Sequence, residues 1–225
     1  MRPAIQRRLD YFPARVIRLF RGVRTRVIVW DPLRLIYLRV PKSANSSIRK
    51  SIPDGVQKRL DIRRLESRFP GYLSFSFVRN PWARFVSTFT NKVMAVPSNE
   101  DNFIDGVHDD FRSLSRDIRA GMPFEEFAEI VCSIPDEATD KHLKSQCYFL
   151  VRDRVVIPRF VGKVESMSED WARLAQRAGF PQQIGHVNRT DHAHYSEYFP
   201  DSKLRNLVGD RYRDDIETFG YDFLD

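Results

Sequence analysis

Short apolar runs alternate with stripes at helical spacing along this chain, which predicts strands interleaved with helices. Residues 27–40 read as one or two strands around Asp31 and Pro32, the last being the buried run Leu35-Ile36-Tyr37-Leu38-Arg39-Val40. The turn Pro41-Lys42-Ser43-Ala44-Asn45-Ser46-Ser47-Ile48 follows and leads into a helix ending near Pro53. The charged stretch 56–68 reads as a short helix, and residues 73–78 as a second strand. Asn80 then suits an N-cap and Pro81 the first helical position. The helix after them places Trp82, Phe85, Val86, Phe89 and Val93 on one apolar stripe, with Arg84, Ser87 and Asn91 on another side.

Further along, residues 95–110 are polar and rich in Asn, Asp, Pro and Gly, the composition of a surface loop. Helices are expected over 112–119, over 123–132 (Phe124, Phe127, Ile130, Val131), over 168–178 and over 202–219, with a strand at 159–164 and a loop at 179–194. Strands alternating with helices argue for an α/β fold: a parallel sheet with helices on both faces, in a single domain. With 42% hydrophobic residues and 17 phenylalanines, the chain can bury such a core.

Two strand-to-helix junctions carry the candidate chemistry. A turn with one lysine and two hydroxyls ahead of a helix start can hold a phosphate: backbone N–H groups and the helix dipole face the anion, Lys42 adds charge, and Ser46 and Ser47 add hydrogen bonds. An ordinary turn capped by Ser46 or Ser47 fits this octapeptide equally well. The turn lacks the G-x-x-x-x-G-K-[ST] spacing of a nucleoside-triphosphatase loop. At the second junction, Arg79 stands at a strand end, where open α/β sheets bind ligands. Ser87 lies two helical turns on, so a second phosphate can be gripped there. Two such junctions in succession favour the anion reading.

The net charge of +7 is confined to one place. The first 26 residues hold eight arginines against Asp10 alone, and the rest of the chain is formally neutral. This speaks against a nucleic-acid-binding surface spread over the domain. Leu9, Phe12, Val16, Leu19, Phe20 and Val23 form a stripe among those arginines. Residues 1–26 are therefore expected as a basic helical segment ahead of a domain at 27–225. It either packs on the domain or makes peripheral contact with anionic lipid. No apolar stretch reaches the ~20 residues that span a bilayer. Cys132 and Cys147 form no disulfide framework. A cytoplasmic, bacterial setting is the expectation.

The first turn resembles the 5′-phosphosulfate loop P-K-x-A/G-x-[ST] of sulfotransferases that use 3′-phosphoadenosine 5′-phosphosulfate (PAPS). Arg79, Pro81, Arg84, Ser87 and Phe89 resemble their 3′-phosphate motif R-x-P-x-x-R-x-x-S-x-[FY]. The resemblance is to the carbohydrate sulfotransferases of the chondroitin 4-O and HNK-1 type (sulfotransferase family 2). It extends through Asp140-Lys141-His142 (a D-x-H-W patch with Leu143 for tryptophan) and Phe160-Val161-Gly162-Lys163-Val164-Glu165 (F-V-G-K-x-E). It closes on residues 212–221 (Y-x-x-D-x-x-x-F-G-Y).

The resemblance implies a P-loop-like fold and in-line transfer of a sulfuryl group from PAPS to a carbohydrate hydroxyl, without a metal. Lys42 would stabilise the leaving phosphate. The backbone around Ser43, Ala44, Asn45, Ser46 and Ser47 would cradle the 5′-phosphate, and Arg79, Ser87 and Arg84 would hold the 3′-phosphate. Either His142 or Glu66 would be the general base. Glu165 would touch the acceptor or pair within the pocket, and Asn188 and Arg189 would reach the nucleotide. His186, His192, His194, Tyr148, Tyr195 and Tyr198 are candidates for an acceptor groove. A P-loop phosphotransferase or kinase is the first alternative, and a basic nucleic-acid-binding protein the second.

Overall fold

A computed structural model of the chain describes residues 24–94, 103–104, 107–108, 117–180, 184 and 194–225. In chain order the strands and α-helices are β1 (Arg24–Trp30), β2 (Leu35–Leu38), α1 (Asn45–Ser51), β3 (Val56–Asp61), α2 (Leu65–Arg68), β4 (Leu73–Val78) and α3 (Pro81–Lys92). They continue as β5 (Phe103–Ile104), β6 (Val107–His108), α4 (Phe124–Cys132), α5 (Gln146–Leu150), β7 (Val151–Arg152), β8 (Val155–Val156), β9 (Phe160–Lys163), α6 (Met167–Ala178), α7 (Ser202–Arg211) and α8 (Arg213–Phe219). The expected N-terminal helix with its membrane contact lies outside the described residues, as do His186, His192, Asn188 and Arg189. β1 begins at Arg24, three residues inside the segment expected to precede the domain. No helix among the described residues is long and apolar enough to cross a membrane.

The described residues form two compact units. The sheet unit comprises 24–80, 146–180, 184 and 225, and the helical unit comprises 81–94, 103–104, 107–108, 117–145 and 194–224. In the sheet unit five strands run in the order β3-β1-β2-β4-β9. β2, β4 and β9 are mutually parallel, as expected. β1 is antiparallel to both β2 and β3, so the sheet is mixed rather than purely parallel. The reason is local. Only Asp31–Arg34 separates β1 from β2, closed by Arg34 N–H to Asp31 O at 3.1 Å, and a turn this short permits only an antiparallel return.

Residues 56–61 are a strand where their charge suggests a helix. Pairing with β1 satisfies the backbone groups of β3 that face it, and charged side chains on this edge strand discourage further pairing. The expected helix survives only as a 3₁₀ turn, Ile62–Arg64, and the single turn α2.

β2 is buried on both faces, which is why it reads as a continuous apolar run, and β4 is buried from Ser74 onward. On one face Ile28, Trp30, Leu35, Tyr37, Phe75 and Phe77 pack with Ile48 of α1, with Ile52 just beyond it, and with Trp171, Leu174 and Ala175 of α6. Gly162 in β9 is needed for this packing: a Cβ there would stand 2.4 Å from the Phe77 ring. The helical unit has its own core, in which Phe85 and Phe89 of α3 meet Phe124 edge-on and Phe127 at a tilt, both from α4, joined by Tyr212 and Leu143. The expected helix over 202–219 is broken at Tyr212 into α7 and α8.

Candidate functional site

The chain leaves β2 through a turn made of left-handed backbone. Lys42 has φ 68° and Ala44 φ 55°, although neither is glycine. Each such L-residue costs on the order of 1–2 kcal/mol, and strain of this kind collects at sites that need a particular backbone shape. Side chains inside the turn brace it. The Asn45 amide donates from Nδ2 to Val40 O at 2.8 Å and accepts at Oδ1 from the Tyr37 hydroxyl at 2.5 Å. Tyr37 is fully buried, and burial pushes its hydroxyl well above the ordinary phenol range, so it remains a donor. Ser43 is also fully buried, and its N–H closes the turn onto Val40 O at 3.3 Å.

The Ser43 N–H is spent on Val40 O, which corrects Ser43 as a backbone donor to the anion, whereas Asn45 braces the turn with its side chain and keeps its amide at the start of α1. Lys42, Ala44 and Ser47 are half-exposed and Ser46 is exposed. The helical ladder of α1 starts with Ile48 N–H to Ala44 O at 3.0 Å, so the amides of Asn45, Ser46 and Ser47 precede it. Ala44→Val, which puts a β-branched residue in the left-handed region, is expected to destabilise the protein by about 1–3 kcal/mol. Urea denaturation measures this, and an unchanged midpoint would mean that the turn relaxes without cost.

The end of β4 is held as closely. Val78 O accepts from Val164 N–H at 2.9 Å, and Asn80 N–H donates to Glu165 Oε1 at 2.8 Å. Glu165 thus braces a backbone amide. Between these bonds, Arg79 exchanges two with one side chain that the sequence does not mark. Gln146 accepts from Arg79 N–H at 2.9 Å and donates to Arg79 O at 2.8 Å. The Lys42 turn and Arg79 both stand at the C-terminal edge of the parallel strands, where ligands bind in open α/β sheets.

Glu66 is at the other end. It pairs with Arg159 at 2.7 Å, and Arg159 precedes β9, with its N–H on Ser74 Oγ near the start of β4. From Ser74 to Arg79 the strand runs about 16 Å, at ~3.3 Å per residue. Glu66 is an exposed ion-pair partner there, so its candidacy as base is corrected.

In the helical unit, α3 carries Arg84 and Ser87. Every residue from Pro81 to Phe89 is buried, so the helix has no solvated side until its last turn, where Asn91 is exposed. Arg84 is 2% exposed, and burial pulls its guanidinium below the usual range while Tyr212, Asp215 and Asp136 oppose that shift. Arg84 is thus a buried cation within electrostatic reach of these three groups. Ser87 is buried on the same helix.

His142 forms a dyad, with Nδ1 2.6 Å from Asp140 Oδ1, which also accepts the His142 N–H at 2.9 Å. The carboxylate fixes the tautomer with the proton on Nδ1, leaving Nε2 as the acceptor. Burial lowers the imidazole below its ordinary value despite the Asp140 carboxylate, which itself stays ionised because the histidine bonds outweigh its burial. Thr88 Oγ1 reaches His142 O at 3.4 Å, and the Tyr212 hydroxyl donates to Leu143 O at 2.7 Å. Leu143, in place of the family's tryptophan, is fully buried in the phenylalanine core.

Of the other candidates, Tyr195 donates to Phe223 O and Tyr198 packs on Phe89 and Phe124. His194 caps the 3₁₀ turn Tyr195–Tyr198. Cys132 and Cys147 are free thiols, and burial pushes Cys132 up to about 12.

Carbohydrate sulfotransferase 14 of Danio rerio is similar to this chain: 23% identical over 229 residues, a match covering 87% of the chain. The chain spans 62% of that relative's length. No solved structure matches. Residues 55–222 match the model of the Sulfotransferase family, a span that takes in Arg79, the His142 dyad, Gly162 and Tyr212 and begins after the Lys42 turn. With the greater part of its length inside that pattern, the chain belongs to the Sulfotransferase family.

Proposed function

We propose that the protein transfers the sulfuryl group of PAPS to a hydroxyl of a carbohydrate. The observation that carries this reading is the pairing, at one edge of one sheet, of a braced left-handed turn bearing Lys42 with a fixed strand end bearing Arg79. Family membership, and the carbohydrate in the name of the Danio rerio relative, give the pairing its chemistry. They also displace the phosphotransferase and nucleic-acid readings.

PAPS has anionic groups at two ends, and the residues fit it. Amides at the start of α1, with Ser46 and Ser47, take the 5′-phosphate, and Arg79 takes the 3′-phosphate that distinguishes PAPS from ATP. Ser87 keeps the 3′-phosphate role its motif implies. In the transfer, the acceptor oxygen bonds to sulfur as the bond from sulfur to the bridging phosphate oxygen breaks. Lys42 stabilises the charge that grows on that oxygen. The acceptor's proton passes to a general base, the role that the resemblance gives His142, and 3′-phosphoadenosine 5′-phosphate (PAP) leaves.

Incubation with sulfur-labelled PAPS and a panel of polysaccharides, glycolipids and lipid-linked glycans tests the reading. Label is expected in a glycan, without added divalent metal. Binding of PAPS with no transfer to any hydroxyl in the panel would contradict it.

A further inference from the structure

We infer that Gln146 is a positioning residue that sets the placement of Arg79 against the Lys42 turn. The inference rests on the sulfotransferase reading above. Gln146 is fully buried, at the first position of α5, far in sequence from both motifs. Its side-chain amide pairs with the Arg79 peptide as one strand pairs with another, Oε1 taking the N–H at 2.9 Å and Nε2 meeting the carbonyl at 2.8 Å.

This pairing fixes the amide's orientation, since the reverse would put donor on donor and acceptor on acceptor. Oε1 is then the atom turned toward the Ser43 hydroxyl, 3.4 Å away, so Ser43 is the donor in that longer contact. One side chain thus joins the residue between Lys42 and Ala44 to the backbone that aims Arg79. β4 ends at Val78, and sheet bonds no longer hold the chain at Arg79. Gln146 continues the ladder by one residue. A ligand with two phosphates at a set separation needs its two grips at that separation, and misplacement of about 1 Å at such a site is costly.

The test compares PAP with adenosine 5′-phosphate, which lacks the 3′ group, by calorimetric titration. Gln146→Leu keeps the bulk and removes both bonds. It is expected to cut the preference for PAP by about tenfold or more, while affinity for adenosine 5′-phosphate changes by less than about threefold. Gln146→Glu adds a readout that a purely structural role would not move. Its carboxyl can replace the amide only when protonated, and burial raises its pKa. Its preference for PAP, relative to wild type at each pH, should therefore recover at acidic pH and fall as pH rises.

If wild type does not prefer PAP, the sulfotransferase reading fails first. If wild type prefers PAP but both variants keep that preference at every pH, or weaken both ligands alike, the role given to Gln146 is wrong. Should Gln146→Leu fail to fold, the pH series of Gln146→Glu decides alone.

Discussion

Lys42→Ala is expected to lower kcat by about two to three orders of magnitude while PAP affinity stays within about threefold. The asymmetry follows from when the ammonium acts. On the proposed mechanism the bridging oxygen carries little charge in the ground state, and the 5′-phosphate rests on backbone amides that the variant keeps. Charge accumulates on that oxygen only as the bond to sulfur breaks, so an interaction realised there is lost from kcat. Lys42 is held for this role by a backbone already committed to φ 68° and braced through Ser43 and Asn45. The left-handed conformation belongs to the turn, and substitution by alanine is tolerated there as it is at Ala44. Lys42→Arg keeps the charge on a larger, planar head and should recover only part of the rate. Steady-state kinetics with a fixed acceptor, alongside PAP titration, separates the two quantities. Equal losses in kcat and PAP affinity would assign Lys42 to ground-state binding.

The second large effect is at the dyad. His142→Ala should reduce kcat by about two to four orders of magnitude with little change in PAP affinity. A general base works only when unprotonated. Burial holds the His142 imidazole below its ordinary value, so the group is already neutral at pH 7. The rate should therefore be flat through neutrality and fall as pH drops through a value below 6.5, the ordinary value for this side chain. Asp140→Asn removes the carboxylate that opposes this depression. It should shift the acid limb further down and lower the plateau, because the proton is no longer held on Nδ1. A pH–rate profile of wild type and Asp140→Asn checks both signs. Full activity in His142→Ala would show that the base lies elsewhere.

Much of this site was legible because it sits at strand-to-helix junctions, where local signals are strong. The apolar run before Lys42, and Asn80-Pro81 after Arg79, announced a buried strand and a helix start, and both stand where expected. What escaped depends on partners distant in sequence. Residues 56–61 are charged enough to suggest a helix, and only pairing with β1 makes them a strand. Arg84 stands apart from the apolar stripe in sequence, yet α3 is enclosed on all sides through Phe89, and the guanidinium is buried within electrostatic reach of Tyr212 and Asp215. Glu66 lies between the two motifs in sequence but is carried to the far end of β4 by the chain's return from β3. Gln146 gave no sign, since one glutamine before a short apolar run has neither periodicity nor charge to mark it. Its meaning exists only once Arg79 and Ser43 are beside it.

The central claim is that the Lys42 turn and Arg79 grip opposite ends of one doubly phosphorylated adenosine. Dissociation constants of PAP and adenosine 5′-phosphate for wild type and Arg79→Ala test it most directly. The account predicts that wild type binds PAP about a hundredfold more tightly, a preference of the size that charge-assisted bonds to a phosphate supply. It also predicts that Arg79→Ala brings the two ligands to within a fewfold of each other by weakening PAP alone. A wild type that binds both equally, or an Arg79→Ala variant that loses both in the same proportion, would contradict it.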